Sequence, residues 1–458
     1  MLCDHLYGEL ECACLATAGS PVWQIGWGER RVESRPAIPA LTGLRFVAAL
    51  TVVISHSVTF LLPFPGGAMP RWQLYLHAIG GIGMPLFFVL SGFVIHYNYS
   101  TPISQDGAPG IVNFFVARFA RLYPLFIVCL AFDLVFKYCY EQLPASTGQA
   151  LPYYLSLTQS WVFAPSADGL LIFRFGPMPQ VSWSISTEWF FYLLYPAICP
   201  LLSRLATPLA IRWAIAALFL AAALVIGALG LMAADINSAA REYFGPIAVE
   251  NLGFFVWLMY FSPYLRIFEF LLGCLCAALY MRVAGKPVRA AHQRLASFAM
   301  ITATILALLL VWFFYVPPQN LVGVRIDPDS LPALARVVMA FASCFGFAPL
   351  IGIVIFCAAR YRNPIVAALS SPLLVLCGEA SYSLYLLHLT VIYAFRFTVS
   401  PIVSPAVGIA NAMMWGFTLL CTIGLSLVTW RLIEVPARRW LRRTLLLRKS
   451  APAPQAAE

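Results

Sequence analysis

Arg45 and His56 stand eleven positions apart inside an apolar stretch, LTGLRFVAALTVVISHSVTFLL (41–62), where ionisable side chains are expensive. On an α-helix that spacing is about three turns and a rise of roughly 16 Å, so the two side chains share one face at different depths. A charge at mid-bilayer costs at least ~2.5 kcal/mol, so this face should look onto protein or a partly wet interior. A guanidinium can hold an anion, and an imidazole can take or pass a proton near neutral pH. A structural arginine paired with a carboxylate is the plainer reading of the same residues.

Other polar groups punctuate the apolar chain. Arg118 and Arg121, in FFVARFARLYP, are three apart and hence neighbours on one helical face. Such a pair at a membrane entrance suits a phosphorylated ligand, because each guanidinium binds phosphate bidentately; simple positive-inside anchoring explains it too. Glu188, in VSWSISTEWFFYLLYP, is expected at the outer mouth of the fourth span, flanked by Trp183, Ser184 and Trp189. A carboxylate beside indole faces suits a carbohydrate, whose hydroxyls reach the acid while its C–H faces stack; interfacial tryptophan is otherwise an ordinary membrane belt. His388, in GEASYSLYLLHLTV, is expected near mid-bilayer, where a hydrogen bond to a neighbouring helix is the commoner fate of a histidine.

The elements that must position these groups follow from composition. With 61% hydrophobic and 10% charged residues and repeated runs near the ~20 residues that cross a bilayer, the sequence predicts an all-α, polytopic transmembrane bundle. Continuous runs without period-2 alternation exclude a membrane β-barrel. Ten spans are expected, over 41–62, 78–98, 121–139, 187–203, 209–232, 265–281, 296–316, 333–357, 379–398 and 406–429. An eleventh apolar run, 246–262, is expected to be re-entrant or surface-lying. If it does not cross, twenty Lys and Arg residues fall on one side of the membrane and only Arg71, Arg174, Arg241 and Arg325 on the other. By the positive-inside rule both termini are then cytoplasmic.

Residues 1–38 read as a flexible extension, 39–440 as the membrane domain and 441–458 as a basic, disordered tail. The run RLIEVPARRWLRRTLLLRKS suits the anionic inner leaflet. Nucleic-acid binding, the other use of such a run, would call for a recognition domain that the sequence does not offer. Cys3 and the Cys12-Ala13-Cys14 pair lack the second pair a zinc site needs, so no metal is expected.

Taken in order, Arg45-x10-His56, Ser91-Gly92-Phe93, Arg118-x-x-Arg121 with Tyr123-Pro124, Trp183-Ser184 with Glu188, and Ser381-Tyr382 through His388 resemble the signature set of the acyltransferase 3 family. The closing Ile433-Glu434-x-Pro436 is similar to that family's C-terminal end, and the match runs over about 40–440. The resemblance implies a bacterial inner-membrane protein of about ten spans that moves an acyl group, commonly acetyl from acetyl-CoA, onto an extracytoplasmic carbohydrate. It carries the catalytic role to Arg45, His56 and Glu188, donor binding to Arg118, Arg121 and Ser91, and acceptor contacts to Trp183, Ser184, Tyr382 and His388. The expected partners are acyl-CoA as co-substrate, the carbohydrate acceptor and membrane lipid, with no tightly bound cofactor. No fused SGNH-type hydrolase domain, which some members carry, is expected after residue 440.

The expected depth order is Arg118, Arg121 and Arg45 near the cytoplasm, His56 further in, and Glu188 outermost. A pantetheine arm of roughly 15–20 Å would span the Arg45–His56 rise. His56 could act as general base or as transient acyl acceptor, and Glu188 could orient the acceptor or stabilise the imidazolium. A carrier or flippase for a lipid-linked sugar is the rival class; such proteins often show paired, broken segments in repeated halves, and no repeat is evident.

Overall fold

The computed structural model describes residues 35–62, 69–140, 147–166, 169–173, 175, 180–246, 253–315, 332–398 and 408–446. Residues 1–34, which hold most of the expected extension and Cys3, Cys12 and Cys14, lie outside these, as do 447–458.

Long apolar runs leave the backbone no polar solvent, so they satisfy their own N–H and C=O groups as helices. They are α1 (Pro39–Leu61), α2 (Arg71–Asp106), α3 (Ala108–Tyr140), the short α4 (Thr147–Leu155), α5 (Trp183–Ser203), α6 (Pro208–Leu231) and α7 (Ala233–Phe244). After a π turn at Trp257–Phe261 come α8 (Pro263–Val283), α9 (Ala290–Tyr315), α10 (Ala333–Ser343) and α11 (Ala348–Arg360). The chain continues through α12 (Pro364–Leu369), α13 (Pro372–Glu379), α14 (Ser381–Thr398) and α15 (Gly408–Thr429), then a second π turn at Trp430–Glu434 and α16 (Val435–Leu446). A two-residue hairpin, Pro165–Ser166 against Gly169–Leu170, is the strand pairing among the described residues.

Nine helices among the described residues are long and apolar enough to cross a membrane, ten if α13 and α14, bent 69° at Ala380, count as one span. This agrees with ten expected spans. The 246–262 expectation needs correction. Residues 247–252 lie outside the described residues, and 254–261 do not form a separate segment but run into α8 as the first turns of one candidate span, Phe254–Val283. Pro263 offers no N–H to the preceding π turn, and side chains take up the carbonyls left behind. Ser262 Oγ donates to Leu258 O at 2.7 Å, and Arg266 Nε to Tyr260 O at 2.9 Å. Residues 441–446, expected in the basic, disordered tail, are helical as the end of α16, and the rest of that tail lies outside the described residues.

The core forms where α2 meets α1, α8 and α5. Gly92 and Gly273 let α2 and α8 touch backbone to backbone: a Cβ on Gly92 would lie 2.0 Å from Phe270 O, and one on Gly273 2.0 Å from Val89 O. Small residues at such a crossing are how membrane helices gain packing without a hydrophobic drive. α2, with 36 residues, is about 54 Å long, well beyond the ~30 Å hydrocarbon core. It turns into α3 at Gly107, whose φ of 59° favours glycine. α1 and α14 run parallel: Gly378, just before α14, abuts the Thr42 carbonyl, and His56 meets His388 further along both.

Candidate active site

Five helices converge on one narrow cavity of about 70 Å³. α1 contributes Arg45, α2 Phe87, Phe88 and Ser91, α3 Arg118 and Arg121, α5 Ser184 and Glu188, and α14 Ser381, Tyr382 and Tyr385. Arg118 is buried; its Nη2 donates to Tyr99 OH at 2.8 Å, its guanidinium lies 4.8 Å over the Tyr99 ring, and its Nε has no hydrogen-bond partner among the described residues. Arg45 and Arg121 are half-buried, and neither has a carboxylate at ion-pair distance among the described residues.

Glu188 is not at an outer mouth. It accepts from Ser91 Oγ at 2.6 Å and from Tyr192 OH, and it lines the same cavity as the three arginines. The expected depth order, with Glu188 outermost and apart from the arginines, is therefore corrected. The reason is local: residues 181–187 are all buried, so α5 starts inside the protein rather than at the lipid interface. The preceding segment holds it there, with Gln159 Nε2 donating to Ser182 O at 3.2 Å and Trp161 Nε1 to Ser186 O at 2.9 Å. Trp183, buried, packs on Phe261 and Tyr260 at 5.0 and 5.3 Å, in the core rather than in an interfacial belt. Ser184 donates to Tyr385 OH, which itself donates to Val181 O, both at 2.9 Å. Tyr382 OH donates to Leu122 O, tying α14 to α3.

His56 and His388 lie beyond the Tyr385 end of this cavity. His56 Nδ1 is 2.7 Å from His388 Nε2, and the rings are parallel to within 6° with centroids 5.0 Å apart, so the nitrogens meet edge to edge. His388 Nδ1 is 2.7 Å from the Tyr385 carbonyl. A carbonyl only accepts, so a neutral His388 carries its proton on Nδ1 and presents a lone pair at Nε2. His56 must then donate from Nδ1, which leaves the lone pair on its Nε2. Two neutral rings thus fix one tautomer, and His56 Nε2 is the basic atom. His388 is fully buried, whereas His56 is only half-buried.

Two groups escaped the sequence reading. His77, assigned to the loop before the second span, sits inside α2; its Nδ1 is 2.7 Å from Thr59 Oγ1, and its carbonyl accepts from Ser55 Oγ at 2.6 Å, so it borders the His56 turn of α1. Arg266 and Glu269 form a fully buried ion pair at 2.9 Å in α8. Two charges spaced i, i+3 inside an expected span were a visible signal.

A bundle of apolar helices long enough to cross a membrane, enclosing a cationic cavity with a histidine pair beyond it, defines a polytopic integral membrane protein. The family model for the acyltransferase domain, acyltransferase 3, matches residues 38–431, and the chain belongs to that family. It is similar to "Acyltransferase MdmB" of Streptomyces mycarofaciens, 28% identical over 361 residues, covering 78% of this chain and 79% of that protein. It is also similar to "O-acetyltransferase OatA" of Staphylococcus aureus, 24% identical over 406 residues, covering 88% of this chain but 57% of the relative's length. No solved structure gives a significant match.

Proposed function

We propose that this chain is an O-acyltransferase of the bacterial inner membrane, with both termini cytoplasmic, that moves an acyl group, acetyl in the first instance, from acyl-CoA to a hydroxyl of an extracytoplasmic carbohydrate. The observation that carries this reading is the linear arrangement along α1. Arg45, in the cationic cavity, and His56, with its lone pair fixed at Nε2, lie on one helical face, about 16 Å apart by helical rise. That length matches an extended pantetheine arm. Arg121 and Arg118, whose Nε is unpartnered, supply donor contacts at one end, and Ser91 holds Glu188 beside them. The printed names of the two relatives, an acyltransferase and an O-acetyltransferase, support the reaction class.

The chemistry balances without further reagents. The acceptor oxygen attacks the thioester carbonyl while His56 Nε2 takes the hydroxyl proton; the C–S bond then breaks, and the imidazolium returns the proton to the thiolate. The products are a carbohydrate ester and CoA. Attack by Nε2 itself, with a transient acyl-imidazole, uses the same lone pair. With the carboxylate of Glu188 among the arginines, its part is to set the charge of the donor channel and to hold α5 against α2 through Ser91. The test is the ester content of surface glycans, by mass spectrometry, in a deletion strain complemented with wild type or His56→Ala at matched membrane abundance. Esters restored by wild type and absent with His56→Ala support the assignment; esters restored by both overturn it.

A further inference from the structure

The basic helix α16 is not an isolated membrane-surface segment; it packs along α3 beside the cationic cavity. The π turn at Trp430–Glu434 delivers Glu434 into the bundle, where it is buried and accepts from Ser383 Oγ at 2.8 Å. Glu434, Arg438 and Arg442 then follow at intervals of four, on one face of the helix. Arg438, half-buried, lies within electrostatic reach of Arg121, Glu434 and Glu379, and Arg442 within that of Tyr99, the phenol that also holds Arg118. Arg439 and Arg443 stand on the neighbouring face; both are exposed, as Arg442 is, whereas Arg438 is half-buried.

α16 thus brings Arg438 and Arg442 to the α3 helix whose Arg118 and Arg121 line the cavity with Arg45, with Arg438 in electrostatic reach of Arg121 and of the carboxylates Glu379 and Glu434. Like charges brought together against a low-dielectric bundle repel unless an anion joins them, and guanidinium forks suit phosphate above other anions. Arg118 gives its Nη2 to Tyr99 and keeps Nε for a ligand, whereas the guanidinium groups of Arg121, Arg438 and Arg442 make no hydrogen bond among the described residues. We infer that Arg438 and Arg442, with Arg121, form the binding site for the phosphates of the donor's 3′-phosphoadenosine diphosphate, at the mouth of the cavity through which its pantetheine arm passes. This rests on the donor reading above and extends it to residues outside the motif set. It also separates the two faces of α16, with Arg438 and Arg442 on the face that holds nucleotide phosphates and Arg439 and Arg443 on the other.

The test is equilibrium binding of CoA, dephospho-CoA and pantetheine to the full-length protein in phosphatidylcholine nanodiscs. Arg438→Gln with Arg442→Gln should weaken CoA at least tenfold and leave pantetheine within twofold. Arg439→Gln with Arg443→Gln, the same charge change on the other face, should leave CoA within twofold. Wild type should bind dephospho-CoA more weakly than CoA, and that difference should vanish in the Arg438/Arg442 variant. Equal effects from the two double variants, or none from either, overturn the assignment. So does unchanged CoA affinity in the Arg438/Arg442 variant together with lost retention on phosphatidylglycerol vesicles, which would make both faces lipid contacts. A wild-type protein that binds no CoA would overturn the donor reading itself; wild-type binding with an unshifted Arg438/Arg442 variant overturns only the role of α16.

Discussion

Phe87 and Tyr385 meet edge to face, ring centroids 5.8 Å apart, at the end of the arginine-lined cavity nearest the histidine pair. Tyr385 also supplies the carbonyl that fixes His388. One aromatic pair thus walls the arginine-lined cavity and borders the histidine pair.

Shortening that wall should uncouple the reaction. On the proposed function, Phe87→Ala removes a ring that shields the thioester from water, so acceptor-independent release of CoA thiol should rise several-fold while transfer to glycan falls. Thiol release measured with acetyl-CoA and no acceptor decides it; a rate equal to wild type would mean that Phe87 excludes nothing.

The His56–His388 hydrogen bond predicts a graded series. His56→Ala should cost a factor of ~10²–10⁴ in transfer, as expected for loss of a positioned base. His388→Leu should cost on the order of tenfold or more by freeing the ring of His56 to turn, with donor affinity unchanged. His388→Gln, whose amide oxygen can still accept from Nδ1, should recover much of that loss. Rates measured at saturating donor separate the three; if His388→Gln is no better than His388→Leu, the fixed tautomer is not what His388 provides.

Arg266 and Glu269 should behave as a buried pair does. Removing one partner, as in Glu269→Leu, strands a charge and costs ~3–5 kcal/mol, whereas Arg266→Met with Glu269→Leu should restore much of the loss. Thermal unfolding in detergent reads both. The recovery should be incomplete, because Arg266 also caps the Tyr260 and Cys344 carbonyls.

What could be read from the sequence had a physical limit. The shared face of Arg45 and His56 follows from helical periodicity alone, and the ten spans from run length and charge asymmetry. The partnership of His56 with His388 joins residues 332 positions apart and depends on α1 and α14 running parallel, which no local pattern encodes. Run length and charge asymmetry start the fourth span at residue 187 on the outer side, which puts Glu188 at a mouth. The segment that buries that helix start carries ordinary loop composition, so the cover was not visible. Arg438 and Arg442 read as part of a surface-lying run, since only the docking of α16 on α3 distinguishes its two faces.

Gly92 offers the sharpest test of the packing that holds the site. A methyl there would meet the Phe270 carbonyl at 2.0 Å, with backbone rather than a yielding side chain as its neighbour. Overpacking of this kind costs about 1–3 kcal/mol, and here it must push α8 away from α2. Ser91, the next residue, carries the hydrogen bond to Glu188, so the same displacement should disturb the cavity. Gly92→Ala should therefore lower both folded yield and the activity of what folds. Ser91→Ala, which leaves the crossing intact, should keep the yield and affect activity alone. Yield by size-exclusion chromatography and transfer rate per folded molecule separate the two effects. A Gly92→Ala protein with wild-type yield and rate would mean that the α2–α8 contact has slack that this geometry does not contain.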